Sequence, residues 1–157
     1  MTENKTKDTS GLAGRVCVVT GGGSGMGRAI SLALANEGAK LAVLDLNTAG
    51  ANETAVLISA AGGQAAAFTC DTADPGSVAK AAEQSAAALG LCDVLVNNAG
   101  ILRPGPLDTL TLAEWNKVLA VNLTGYFICA QAFGQQMRAR TSGADLCGGR
   151  PGSGIHL

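Results

Sequence analysis

Five glycines crowd into Gly21-Gly22-Gly23-Ser24-Gly25-Met26-Gly27, directly after the apolar run Val16-Cys17-Val18-Val19 and Thr20. Backbone without a Cβ turns sharply and can lie flush against a pyrophosphate, which a bulkier residue would hold off. The residues that follow, Arg28-Ala29-Ile30-Ser31-Leu32-Ala33-Leu34-Ala35, read as a helix. Its first N–H groups and positive dipole end would face that phosphate. The spacing Gly21, Gly25, Gly27 is G-x-x-x-G-x-G, not the strict G-x-G-x-x-G fingerprint. A P-loop is a near miss: Gly22 and Gly27 are correctly spaced, but Arg28 and Ala29 stand where Lys and Ser or Thr should be. Without the magnesium-binding hydroxyl an NTPase is disfavoured. The alternative is that the glycines only permit tight strand-to-helix packing.

A second signal lies eighteen positions after Gly27, where Asp45 closes the next apolar run. A carboxylate near this position in a dinucleotide fold accepts hydrogen bonds from the adenosine ribose hydroxyls, and it would repel a 2′-phosphate. That favours NAD, with NADP less suited. The plainer alternative for Asp45 is a solvated residue starting a loop. Asp71 and Thr72 end a third run, and Asn97-Asn98-Ala99-Gly100 ends a fourth. In a doubly wound sheet the carboxyl ends of the strands border the ligand crevice, so polar groups at these ends converge on one site.

The elements that must hold these residues follow from periodicity. Strands are expected at Arg15 to Thr20, Lys40 to Leu46, Ala65 to Cys70 and Asp93 to Asn97, alternating with helices near Gly25 to Glu37, Ala49 to Ala61 and Pro75 to Leu89. This is the βαβαβ rhythm of an α/β protein: a Rossmann-type doubly wound parallel sheet, incomplete, with about four strands and flanking helices. Gly38 and Gly62 suit helix C-termini, and Asp74-Pro75 suits a helix start. Thr111-Leu112-Ala113-Glu114 matches a capping box that opens a long helix to about Arg138, with a break near Asn122 to Gly125. The sequence divides into a polar tail (1–11), a dinucleotide-binding domain (12–140) and an irregular or disordered tail (141–157).

The 157 residues suffice for one globular domain with an ample core, at 47% hydrophobic residues. Eleven basic and twelve acidic residues are scattered without blocks, which argues against nucleic acid or an anionic membrane surface as partner. No apolar run approaches a membrane span, and Met1 to Ser10 lacks the hydrophobic region of a secretory signal, so cytoplasm is the expected compartment. Cys17, Cys70, Cys92, Cys129 and Cys147 form no C-x-x-C pair, so neither a disulfide framework nor a metal site is expected. Cys17 reads as a small buried hydrophobe. His156, the single histidine, lies beside the C-terminus, a poor place for a catalytic base.

As an ordered set, Thr20-Gly21-x-x-x-Gly25-x-Gly27, Asp45, Asp71, Asn97-Asn98-Ala99-Gly100 and Trp115-Asn116 to Val121-Asn122-Leu123 resembles the short-chain dehydrogenase/reductase family, classical type, over roughly Leu12 to Arg140. The resemblance implies reversible hydride transfer between nicotinamide and a small alcohol or ketone substrate. It implies that Ser24 and Met26 border the pyrophosphate beside Gly21, Gly25 and Gly27. Asp45 and Leu46 would border the adenosine ribose, and Asp71 and Thr72 the adenine. Asn98, Ala99 and Gly100 would line the cofactor crevice, while Asn97 braces the central strand. Asn122 corresponds to the asparagine of the family's catalytic tetrad, which holds a water in a proton relay. Its other reading is a helix-kink residue whose side chain satisfies local backbone. The long helix packs against a neighbouring subunit in many relatives, which implies a homo-oligomer.

The pattern then departs from the family's. The general acid/base tyrosine of a Y-x-x-x-K motif and its preceding serine have no counterpart: the only tyrosine, Tyr126, has Ala130 four positions on, and no lysine follows Lys117. Positioned acid/base catalysis is worth about 10²- to 10⁴-fold, so little hydride transfer is expected of these residues alone. The sequence after about Arg140 loses all periodicity, which predicts a truncated chain with a tail from a shifted reading frame or an early stop. It also predicts that the fourth strand is left as an uncovered apolar edge.

Overall fold

The computed structural model describes residues 10–141 together with Ile155 and His156. Four main strands alternate with helices: β1 (Val16–Thr20), α1 (Gly25–Asn36), β2 (Lys40–Asp45), α2 (Thr48–Ala60), β3 (Gln64–Thr69), α3 (Pro75–Leu89) and β4 (Val94–Val96). They are followed by α4 (Leu112–Leu119), a π turn (Ala120–Thr124), α5 (Gly125–Thr141) and a two-residue strand β5 (Ile155–His156). All pairings are parallel, in the order β3-β2-β1-β4-β5. Chain order therefore reverses direction between β1 and β4, the switch point at which such sheets open a crevice.

Strands buried on both faces need near-continuous apolar runs, and β1 and β2 supply them at Val16–Val19 and Leu41–Leu44. Because side chains alternate, Cys17 and Val19 join Leu41, Val43, Ala51 and Ile58 under α1 and α2, while Val16 and Val18 join Leu44, Val78, Leu95 and Phe133 under α3 and α5. Each large side chain fully removed from water contributes roughly 1.5–3 kcal/mol. Cys17 is fully buried, as expected of a small hydrophobe.

The local start and stop signals behave as their chemistry requires. Asp74 accepts hydrogen bonds from the Gly76 and Ser77 amides, with Pro75 opening α3. Thr111 and Glu114 close a reciprocal capping box. Far from the crevice, the Asp93 carboxylate is nearly buried, accepts from the Val16 amide at 2.8 Å and pairs with Arg15 and Arg140, so the end of α5 is fastened to the entrances of β1 and β4.

Two expectations are corrected. Strand ends are shorter than expected: Arg15, Leu46, Cys70, Asp93 and Asn97 lie just outside their strands, where the loops have already begun. The long helical run continues to Thr141, and the break expected near Asn122 to Gly125 takes the form of a π turn at Ala120–Thr124, which inserts one residue into the helical ladder and spans Asn122. The edge of β4 is not bare, because Leu95 and Val96 pair with Ile155 and His156. An extended tail segment can meet unpaired strand backbone without any periodic sequence signal. The rest of the expected irregular tail, and most of the polar tail, lie outside the described residues.

Candidate cofactor site

The ends of β1 and β4 are stitched together by side chains that the sequence pattern had marked. Asn98 donates from Nδ2 to the Thr20 and Gly21 carbonyls at 2.9 and 3.2 Å, and the Thr20 hydroxyl accepts from the Asn98 and Ala99 amides at 3.0 and 3.1 Å. Gly27 packs so closely into this corner that a Cβ would collide with the Gly21 carbonyl oxygen and come within 2.6 Å of Asn98 Nδ2. Gly25 differs: its φ of +50° favours glycine, yet nothing lies within 4 Å of where a Cβ would stand. One glycine is there for packing and the other for the bend.

Ser24 caps α1 in extended conformation, and its side chain makes no capping hydrogen bond. The first amides of α1 and a free hydroxyl are thus gathered where an anion would be held. Asp45 stands directly beside them. Its Oδ2 accepts from the Gly23 amide and its Oδ1 from the Asn47 amide, both at 2.8 Å, so the carboxylate is fixed against the turn. Asp71 Oδ1 accepts from the Ala73 amide, and the Ser77 hydroxyl accepts from the Asp71 amide, which fixes the loop after β3.

These groups face a single open cleft of about 370 Å³. Every residue expected to touch a cofactor lines it: Gly21, Ser24, Gly25, Met26 and Gly27 from the turn and the start of α1, Asp45 and Leu46 at the end of β2, Asp71 and Thr72 from the loop after β3, and Asn98, Ala99 and Gly100 from the loop after β4. Met26 and Leu46 are 76% and 68% exposed, apolar side chains left uncovered at the rim. Cys70, Ile101 and Val121 also line the cleft and were not anticipated. The first two flank marked positions; Val121 belongs to the Val121-Asn122-Leu123 part of the family pattern, which gave it no place in the cleft. Burial pushes the Cys70 thiol up to about 11, so it is neutral in this wall.

Asn122 and Asn97 serve the framework. The Asn122 amide donates to the Ile101 carbonyl at 3.0 Å and accepts from the Ile101 amide at 2.8 Å, which satisfies the backbone of the loop after β4. Asn97 Nδ2 reaches the Tyr126 carbonyl at 3.5 Å, so it ties β4 to α5 rather than to a neighbouring strand. Among the described residues no group of histidine, cysteine or carboxylate side chains could hold a metal ion, and no helix is long and apolar enough to cross a membrane.

The donor set fits a dinucleotide in kind: free helix-start amides and the Ser24 hydroxyl for phosphate, the Asp45 carboxylate for ribose hydroxyls, and an apolar rim for a flat base. Known proteins agree at the level of family. The sequence pattern described as short chain dehydrogenase matches residues 15–144. D-Threitol dehydrogenase of Mycolicibacterium smegmatis is 44% identical over 133 residues, covering 85% of this chain and 51% of that protein. The 2,3-dihydro-2,3-dihydroxybenzoate dehydrogenase of Bacillus subtilis is 31% identical over 148 residues, covering 94% and 57%. Among solved structures, a metagenomic short-chain oxidoreductase in complex with NADP superposes with a TM-score of 0.77 at 39% identity, covering 83% of this chain and 59% of the other. A Serratia marcescens short-chain dehydrogenase/reductase mutant gives 0.77 at 37%, covering 80% and 52%. The chain spans about half the length of the curated relatives it matches.

Proposed function

This chain belongs to the short-chain dehydrogenase/reductase family, and we propose that its cleft binds NAD in preference to NADP as the cofactor half of an alcohol or ketone oxidoreductase. The observation that carries this reading is the convergence of the glycine turn, the Asp45 carboxylate and the ends of β3 and β4 on one cleft at the reversal of the sheet. The pyrophosphate would lie on Ser24 to Gly27, the adenosine ribose at Asp45 and Leu46, the adenine by Asp71 and Thr72, and the remaining cofactor along Asn98, Ala99 and Gly100. A 2′-phosphate would sit against the Asp45 carboxylate, already held at the turn, and like charge there disfavours NADP. When bound, the cofactor supplies hydride exchange with a small alcohol/carbonyl pair. Asn122 contributes by holding Ile101, and through it the loop at the mouth of the cleft.

A second reading is a catalytically silent dinucleotide-binding fragment or subunit partner. It is favoured by the sequence fact that these residues contain no Y-x-x-x-K motif. Titration with NADH separates the possibilities. Enhanced nicotinamide fluorescence, stronger than with NADPH, is expected, and no binding of either would defeat both readings. Turnover of an alcohol panel that includes threitol, at ordinary enzymatic rates, would select the first reading over the second.

Leu112, Trp115, Leu123 and Phe127 are exposed along α4, the π turn and α5, which supports self-association through this face. The four described cysteines are free, in keeping with a reducing, cytoplasmic setting.

A further inference from the structure

Arg28 occupies the position at which a P-loop would carry lysine, yet it does not line the cleft; it works behind the glycine turn. Its Nη2 donates to the Gly23 carbonyl at 2.6 Å and to Glu53 Oε2 at 2.7 Å, and its Nε donates to the Thr54 hydroxyl at 3.0 Å. The fully buried Thr54 hydroxyl lies 2.9 Å from the Gly22 carbonyl and 3.1 Å from the Gly50 carbonyl of its own helix, and its one proton is shared between them. The turn is therefore gripped at two successive carbonyls, by Thr54 of α2 and by Arg28 of α1, which α2 in turn holds, while the Gly23 amide between them is held from the other side by Asp45 at 2.8 Å.

In a trans peptide the carbonyl and the N–H point in opposite directions. Fixing the Gly23 carbonyl on Arg28, on the α2 side, turns the Ser24 amide the other way, and Ser24 lines the cleft whereas Glu53 and Thr54 do not. Likewise, fixing the Gly22 carbonyl on Thr54 aims the Gly23 amide at Asp45, and so sets how that carboxylate is presented. The planar guanidinium directs these three bonds from two separate nitrogens held in a fixed plane, whereas a lysine ammonium offers its three donors from one freely rotating nitrogen. An ordinary surface ion pair between α1 and α2 would be worth little and would touch only side chains; here the cation ends on the backbone of the turn.

We propose that Arg28, held by Glu53 and Thr54, is a positioning residue that presets the turn to receive a diphosphate. This rests on the dinucleotide reading above. The test uses the full 157-residue chain, with NADH followed by fluorescence and ADP and adenosine competed against it. Arg28→Met is expected to weaken NADH and ADP about tenfold while adenosine changes less than twofold. Arg28→Lys should recover part of the loss, because one ammonium can still reach the Gly23 carbonyl. A merely structural role would weaken adenosine as much as ADP, and that outcome, or unchanged ADP binding, overturns the proposal. Should Arg28→Met fail to fold, Glu53→Gln decides: Glu53 is exposed, and a diphosphate-selective loss of about two- to fourfold supports the tether, whereas no selective loss refutes it. Wild-type chain that binds none of the three ligands would remove the dinucleotide reading itself; wild-type binding with unaltered variants removes only the role of Arg28.

Discussion

The side-chain amide of Asn122 clasps both backbone polar groups of Ile101, at 2.8 and 3.0 Å, across the mouth of the cleft. A helical asparagine thereby does for a loop what a neighbouring strand would do, and the π turn places it where it can. Two neutral hydrogen bonds at a water-accessible site are worth about 1 kcal/mol each at most. Asn122→Ala should lower stability by about 1 kcal/mol and speed hydrogen exchange of the Ile101 amide roughly tenfold. Asn122→Asp keeps the acceptor for that amide and should restore most of its protection; equal exchange in all three proteins would mean that the clasp does not form in solution.

Asp45 has two tasks, holding the Gly23 amide and, as proposed, accepting from a ribose. Asp45→Ala should raise the dissociation constant for NADH about tenfold, or roughly 1.4 kcal/mol, and that for NADPH by less, because loss of the carboxylate also removes a repulsion. Paired fluorescence titrations measure the ratio directly. A parallel loss for both cofactors would take Asp45 out of the ribose contact and leave it only its place at the turn.

Gly27 and Gly25 should respond differently to alanine. At Gly27 the added methyl meets backbone that cannot yield, and overpacking of this kind costs roughly 1–3 kcal/mol, here toward the upper end. At Gly25 there is open space and the only cost is the positive φ, roughly 1–2 kcal/mol. Urea denaturation should rank Gly27→Ala below Gly25→Ala. The reverse order would contradict the packing described for the β1–α1 corner.

Alkaline pH should weaken the fold through its cysteines. Burial pushes the Cys17 and Cys70 thiols up to about 11, and Cys92 and Cys129 up to about 12. Each is neutral in the native state and ionises first in the unfolded chain, near 9.0. Their contribution is therefore complete below pH 9 and is lost as pH rises toward 11 and 12. The urea midpoint should fall over that window, and less steeply in a Cys17→Ala/Cys92→Ala variant. Identical slopes for the two proteins would show that the thiols are not the cause.

Much of this protein could be read from local chemistry. Asp74 with Pro75, the Thr111–Glu114 box and the positive φ of Gly38 and Gly62 all appear where their side chains or lack of them require. Each such signal is complete within four residues, so no tertiary knowledge is needed. Boundaries were less legible: Leu46 continues an apolar run and Asn97 follows one, but strand pairing stops at the register of Asp45 with Thr69 and of Val19 with Val96. Propensity does not specify where a neighbour ends.

What the amino-acid order determined alone was most of the cleft lining and the alternation of elements, because glycine bends, polar strand ends and hydrophobic periods are properties of short segments. Only the folded chain decided what those residues hold. Arg28 turned to the back of the glycine bend, Asp45 met the Gly23 amide, Asn122 reached Ile101, and Ile155 with His156 found the edge of β4. Each of these partnerships joins groups far apart in sequence or on different elements. Their formation depends on how helices and strands are stacked, and no local pattern encodes that distance.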